Sequence, residues 1–130
     1  MMKFLTSAIT ILGIGANFLV SDPSIAQSSK IEEFIARGTE PFWSVTVSKR
    51  GIIYASPDTK QQTFPYTKPL KAEGRPTDIV RVYRLRGREN NILILKKVSS
   101  CSDGMSDINY PYSAVFILGN KVLEGCADKK

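Results

Sequence analysis

The chain has 130 residues, a formal net charge of +6 and no histidine. That length holds one domain, and 42% apolar, 9% aromatic and 23% charged residues exclude a disordered chain. The lack of histidine removes the commonest general base and the commonest metal ligand together, while 7 prolines and 9 glycines imply many turns between short strands.

Residues 1–26 read as a secretory signal peptide. Lys3 gives a short positive start, and the uncharged run from Phe4 to Val20 follows it. Asp22 and Pro23 then precede Ser24-Ile25-Ala26, a small-x-small cleavage site that leaves Gln27 as the new N-terminus. The run is nearly long enough to span a bilayer, so a retained anchor is the competing reading. Its interrupting glycines and the small-residue site favour cleavage. No cysteine lies near the cut for lipid attachment. The expectation is a periplasmic or secreted protein that is monomeric and, once processed, not integral to a membrane. Cleavage removes one Lys and one Asp, so the charge stays positive. That balance favours an anionic envelope partner over nucleic acid, which an exported protein rarely meets. A solvated surface with excess lysine is the alternative.

Residues 27–35 read as a loose N-terminal segment and residues 36–130 as a single β-rich domain. Phe42 to Val47 alternates strictly, with Trp43, Val45 and Val47 on one face. Lys49-Arg50-Gly51 turns the chain into Ile52–Ala55. Thr63 to Tyr66 reads as a short edge strand broken by Pro65, and Pro69 to Asp78 as an irregular loop. Ile79–Leu85 and Ile92–Val98 form a second hairpin across a turn at Gly87–Asn91. Tyr112–Leu118 and Lys121–Cys126 form a third across Gly119-Asn120, a pair suited to positive φ. No stretch after the signal has a helical period. The fold class predicted is all-β, a small antiparallel barrel or sandwich of about seven to eight strands.

Two cysteines in a small exported chain are expected to pair. A Cys101–Cys126 disulfide would staple a long Ser102–Pro111 loop and the last hairpin to the sheet, adding roughly 3 to 4 kcal/mol through lost unfolded-state entropy.

Three segments carry candidate binding residues. In Arg37-Gly38-Thr39-Glu40-Pro41-Phe42-Trp43, Trp43 reads either as the largest core side chain or as the mouth of a pocket. In the second case Arg37 and Glu40 would fix a ligand's polar end. The segment from Cys101 to Asp107 groups Asp103, Ser106 and Asp107, with Tyr110 close behind. A serine nucleophile would need a lysine base here, and no spacing points to one. Calcium would want six to eight oxygens, and the ligand spacing of an EF-hand is missing. Asp103 and Ser106 are instead suited to holding backbone N–H groups in a rigid turn. In the third segment, Arg84, Arg86 and Arg88 share a face if their strand persists. They read either as charges guarding a sheet edge or as a contact for an anionic partner. No catalytic residue, metal site or cofactor follows from these residues.

Gly38-Thr39-Glu40-Pro41-Phe42-Trp43, Cys101-x-Asp103-x-Met105-Ser106-x-x-x-Tyr110-Pro111 and Gly125-Cys126-Ala127 together resemble a family of largely uncharacterised bacterial envelope proteins, many of them lipoproteins. The resemblance covers most of residues 36–127. It implies an exported β-rich domain, distantly similar to META-type domains and to lysozyme-inhibitor barrels, and it carries no catalytic residues across. The chain departs from many members in lacking a lipidation cysteine. The function expected is a non-enzymatic binding or envelope-maintenance module. A lysozyme inhibitor-like protein is an alternative, against which the positive charge speaks, and a small-ligand carrier is another.

Overall fold

The computed structural model describes residues 30–130 and the isolated Gly13. The expected signal peptide at residues 1–26 lies outside the described residues, Gly13 apart.

All regular structure among the described residues is strand: β1 (Phe34–Thr39), β2 (Phe42–Ser48), β3 (Gly51–Ser56), β4 (Thr59–Phe64), β5 (Leu70–Lys71), β6 (Val80–Leu85), β7 (Asn91–Ser102), β8 (Asn109–Leu118) and β9 (Lys121–Lys129). They form one antiparallel sheet in the order β4-β3-β2-β1-β9-β8-β7-β6-β5. That order by itself requires the sheet to curl. Nine strands laid flat would separate the edge strands by about 38 Å. The link from Phe64 to Leu70 reaches about 20 Å at full extension, so β4 and β5 must approach each other. The result is a curled half-barrel whose two edges are bridged by residues 65–69.

Alternation fills the concave side. Phe34 and Ala36 of β1, Trp43, Val45 and Val47 of β2, and Ile52 and Tyr54 of β3 are all buried there. They meet Tyr83, Leu93, Leu95, Tyr112, Ala114 and Phe116 from the other half of the sheet. Phe116 is the hinge of this core: Trp43 stacks on it at 6.0 Å and Tyr54 approaches at 5.3 Å. Among the described residues no helix is long and apolar enough to cross a membrane.

The all-β reading and the three long hairpins hold, with differences in strand number and bounds. The strands number nine, because the supposed irregular loop contains the two-residue β5, while the edge strand expected at Thr63–Tyr66 lies at Thr59–Phe64 as β4. β4 pairs on one side only and its first five residues are exposed, so it carries no apolar alternation to detect. Pro65 follows the strand instead of interrupting it, since its missing N–H suits the point where pairing stops. The first strand begins at Phe34, which is fully buried and pairs with both Val47 and Lys129. β9 likewise runs past Cys126 to Lys129, held by that same pairing with β1.

The turns follow local chemistry. Gly51 (φ +138°) and Gly119 (φ +62°) take left-handed conformations at the β2–β3 and β8–β9 turns. Asn120 needs no positive φ. The Cys101–Cys126 disulfide is present. Cys126 points away from the core row of Leu123, Gly125 and Ala127, so the bond lies on the convex side of β9. It pins there the end of the β7–β8 hairpin, whose register shifts at a bulge between Lys97 and Cys101.

Candidate functional site

The two ends of β1 carry different constructions. At its C-terminal end, β1 turns through Glu40-Pro41 (a cis peptide) into β2. Gly38 lies opposite Trp43 in this hairpin. A Cβ at Gly38 would strike the Trp43 indole and the Glu124 carbonyl, so only glycine lets the ring lie flat across β1. Trp43 Nε1 donates to Glu124 O at 3.3 Å, which satisfies the one polar atom of an otherwise buried ring.

The tip of the β7–β8 hairpin reaches this turn. Thr39 Oγ1 donates to the carbonyl of Asp103 at 3.0 Å, joining segments 64 residues apart in sequence. The tip is internally ordered. Asp103 Oδ1 accepts from the backbone N–H groups of Met105 (2.9 Å) and Ser106 (3.0 Å), and Ser106 Oγ accepts from Ile108 N at 3.3 Å. The two backbone N–H groups, with the Ser106 and Tyr110 hydroxyls, hold the Asp103 carboxyl below the usual carboxylate range. Its oxygens are thereby used within the loop. Among the described residues no cluster of three potential metal ligands exists.

Between this tip and the outer ends of β1–β3 lies an open groove of about 430 Å³. Arg37, Phe42, Trp43, Asp103 and Tyr110 line it, with Ser44, Ala55 and Pro57 as its floor and far wall. Phe42 is 55% exposed, an aromatic ring left at the rim beside an exposed arginine. Asp103 stays anionic at the groove, because its hydrogen bonds come from neutral donors, and Arg37 is the cation of the same lining.

At the other end of β1 a polar network enters the barrel. Arg81 of β6 is only 5% exposed and stands 4.8 Å over the Phe34 ring. Its Nη2 meets Glu32 Oε2 at 3.0 Å and Asp78 Oδ1 at 3.2 Å. Asp78 also accepts from Tyr112 Oη at 2.6 Å and from Lys97 Nζ at 3.0 Å. Lys129 Nζ lies 3.3 Å from Glu32. Burial opposes ionisation of Asp78, but the bonds from Tyr112, Lys97 and Arg81 outweigh it and hold the carboxyl far below its ordinary value. Burial pushes the Tyr83 phenol up to about 12 against the opposing charge of Arg81, and Tyr112 is raised by burial and its bond to Asp78.

Of the residues singled out in sequence, Arg37, Trp43, Asp103 and Tyr110 meet in the groove. Trp43 is at once a core ring and a groove wall. Glu40 is exposed and lines a neighbouring depression beside Glu124 and Gly125, not the groove of Arg37. Ser106 organises the hairpin tip and stays outside the groove. Arg84 is exposed on β6, but the strand stops at Leu85, so Arg86 and Arg88 leave its register and no three-arginine face forms. Phe42 and Thr39 were missed as groove residues, and so was the whole Arg81 network. Its signal was present in the parity of β6, where Arg81 falls on the same face as Tyr83 and Leu85. An arginine on an apolar face must be paired or solvated.

Comparison with protein-family models, with curated proteins and with solved structures yields no match for this chain.

Proposed function

We propose that this protein is an exported, non-enzymatic binding module that works through the groove at the Trp43 end. The observation carrying this reading is the Thr39–Asp103 bond, which brings two separately conspicuous segments together around one open, aromatic-walled groove. A concave site with apolar walls and few polar groups is the usual form of a ligand site. Here the exposed Phe42 offers a ring face and Arg37 offers a guanidinium, so the matching ligand is an apolar or ring-shaped group with an anionic end, on a small molecule or at the end of a partner chain. Export rests on the signal-like residues 1–26 and agrees with a disulfide that an oxidising compartment would keep.

Trp43 is the only tryptophan, so its fluorescence reports on the groove directly. Titration with N-acetylphenylalanine should change that emission saturably, and Phe42→Ala and Arg37→Ala should each weaken the response while leaving the unfolding midpoint nearly unchanged. An emission that never responds, or responds equally in both variants, overturns the reading. The denatured mass of protein from the cell envelope tests export separately, through loss of residues 1–26.

A further inference from the structure

The second cleft lies beside the Arg81 network, at the start of β1, and encloses about 460 Å³. Its walls come from Lys30, Tyr66, Lys68, Thr77, Arg81 and Tyr83, with Ile31 and Pro69 adding apolar surface. Residues 65–69, which bridge the two edges of the half-barrel, form one side. From this arrangement we infer a second binding site, distinct from the groove, for an oxyanion (carboxylate or phosphate) carried on a ring-shaped or apolar body.

The charge pattern gives the first reason. Lys30, Lys68 and Arg81 face the cleft, and the only acid among its lining residues is Glu32. Glu32 and Asp78 engage Arg81, and Lys129 meets Glu32, so these charges offset one another and Lys30 and Lys68 carry the free positive charge of the cleft. The orientation of Arg81 gives the second. Both of its carboxylate contacts go to Nη2, and its buried Nε has no hydrogen-bond partner among the described residues. A guanidinium held this deep with one edge unused is an unsatisfied donor, which native interiors rarely retain without a purpose. The other buried side-chain atom lacking a partner, Thr67 Oγ1, belongs to the same bridging segment.

The phenols supply the third reason. Burial raises both Tyr66 and Tyr83 above the ordinary phenol value, so near neutral pH both stay protonated; the half-buried Tyr66 presents an O–H donor and part of its ring, with Tyr83 buried behind it. The cleft therefore gathers donors and cations and has little accepting capacity of its own. An oxyanion satisfies such a set, and an aromatic or apolar body fits against Tyr66, Ile31 and Pro69. Arg81 is prepositioned by Asp78 and Glu32, so binding would order few side chains, Lys68 being the main one.

The test is an amide-shift titration of the disulfide-intact protein by NMR with phenyl phosphate and, separately, with benzoate, using benzyl alcohol as the uncharged control. Saturable shifts are expected at Tyr66, Lys68, Arg81 and Tyr83 with at least one anion and not with the alcohol. The stronger of the two names the preferred oxyanion. Lys68→Ala should weaken binding about threefold to tenfold, and Tyr66→Phe should weaken it by less. The same shifts should persist in Phe42→Ala, which separates this cleft from the groove and lets either site fail alone. Shifts scattered evenly over surface lysines, shifts confined to the groove, or equal response to benzyl alcohol overturn the inference. Because Arg81→Gln risks unfolding, the exposed Lys68 variant carries the decision.

Discussion

The two ends of β1 solve different problems with different means. At the groove end, a buried ring and a hairpin tip are held by main-chain contacts, a glycine that clears space, and a covalent bond. At the Arg81 end, six side chains from five separate stretches of chain form a connected ionic network that includes a buried guanidinium. The first is built from short segments and carries one titrating group, the Asp103 carboxylate that holds the hairpin tip. The second depends on protonation states and on the assembled barrel. A shared strand thus joins an end whose order is steric and covalent to one whose order is electrostatic.

The most damaging change to the groove end should be Trp43→Ala, which empties the space against Phe116 and leaves Glu124 O without its donor. Urea unfolding should show a loss of about 3 to 5 kcal/mol. If the loss is below about 1 kcal/mol, Trp43 belongs to the groove and not to the core.

Next in size is removal of the disulfide by the paired change Cys101→Ser and Cys126→Ser. The closed loop of 25 residues predicts a cost of roughly 3 to 4 kcal/mol on the chain-entropy model. Amide exchange should accelerate at Asp103–Tyr110 and stay unchanged at Arg81 and Tyr83. Uniform acceleration would show that the two ends do not open independently.

Asp78→Asn addresses the other end. Losing charge-assisted bonds to Arg81, Lys97 and Tyr112 should cost about 2 to 3 kcal/mol at neutral pH. The sign of its pH dependence follows from the depressed folded value. The stabilisation is present above the unfolded carboxyl value of about 4 and is lost as pH falls below it. Tyr83 and Tyr112 are raised, so their contribution is full below about pH 10 and fades above it as the folded phenols ionise. Wild-type stability should therefore form a plateau between these limits, measured by urea midpoints across pH. Its acid shoulder should flatten in the Asn variant, and an unchanged acid limb would mean the network adds nothing to folding.

The smallest effect is expected from Arg84→Glu with Arg86→Glu. Both residues are exposed and outside either cavity, so stability should move by less than about 0.5 kcal/mol. If the pair nevertheless abolishes retention on an anionic resin while Lys68→Ala does not, the anionic contact surface lies on β6 and its following turn.

The chain's periodicity was enough to read the long hairpins, because β2, β6, β7 and β8 each bury every second residue. Only the end of edge strand β4 was legible, as the Thr63–Tyr66 run, since nothing on either of its faces is buried before Phe64. The groove was half legible. Arg37, Trp43, Asp103 and Tyr110 stood out by residue type and local setting, whereas Phe42 and Thr39 acquire meaning only when the hairpin tip folds over the β1–β2 turn.

Local covalent chemistry and alternation, as written in the sequence, decided the strand pattern, the glycine turns and the pairing of the only two cysteines. These depend on nearest neighbours and on counting. The tertiary structure alone decided the strand order, the curl that follows from a five-residue bridge between the sheet edges, and the meeting of Glu32, Asp78, Arg81, Lys97, Tyr112 and Lys129. Interactions between residues so distant in sequence have no period and no spacing, since their geometry exists only after the sheet has closed upon itself.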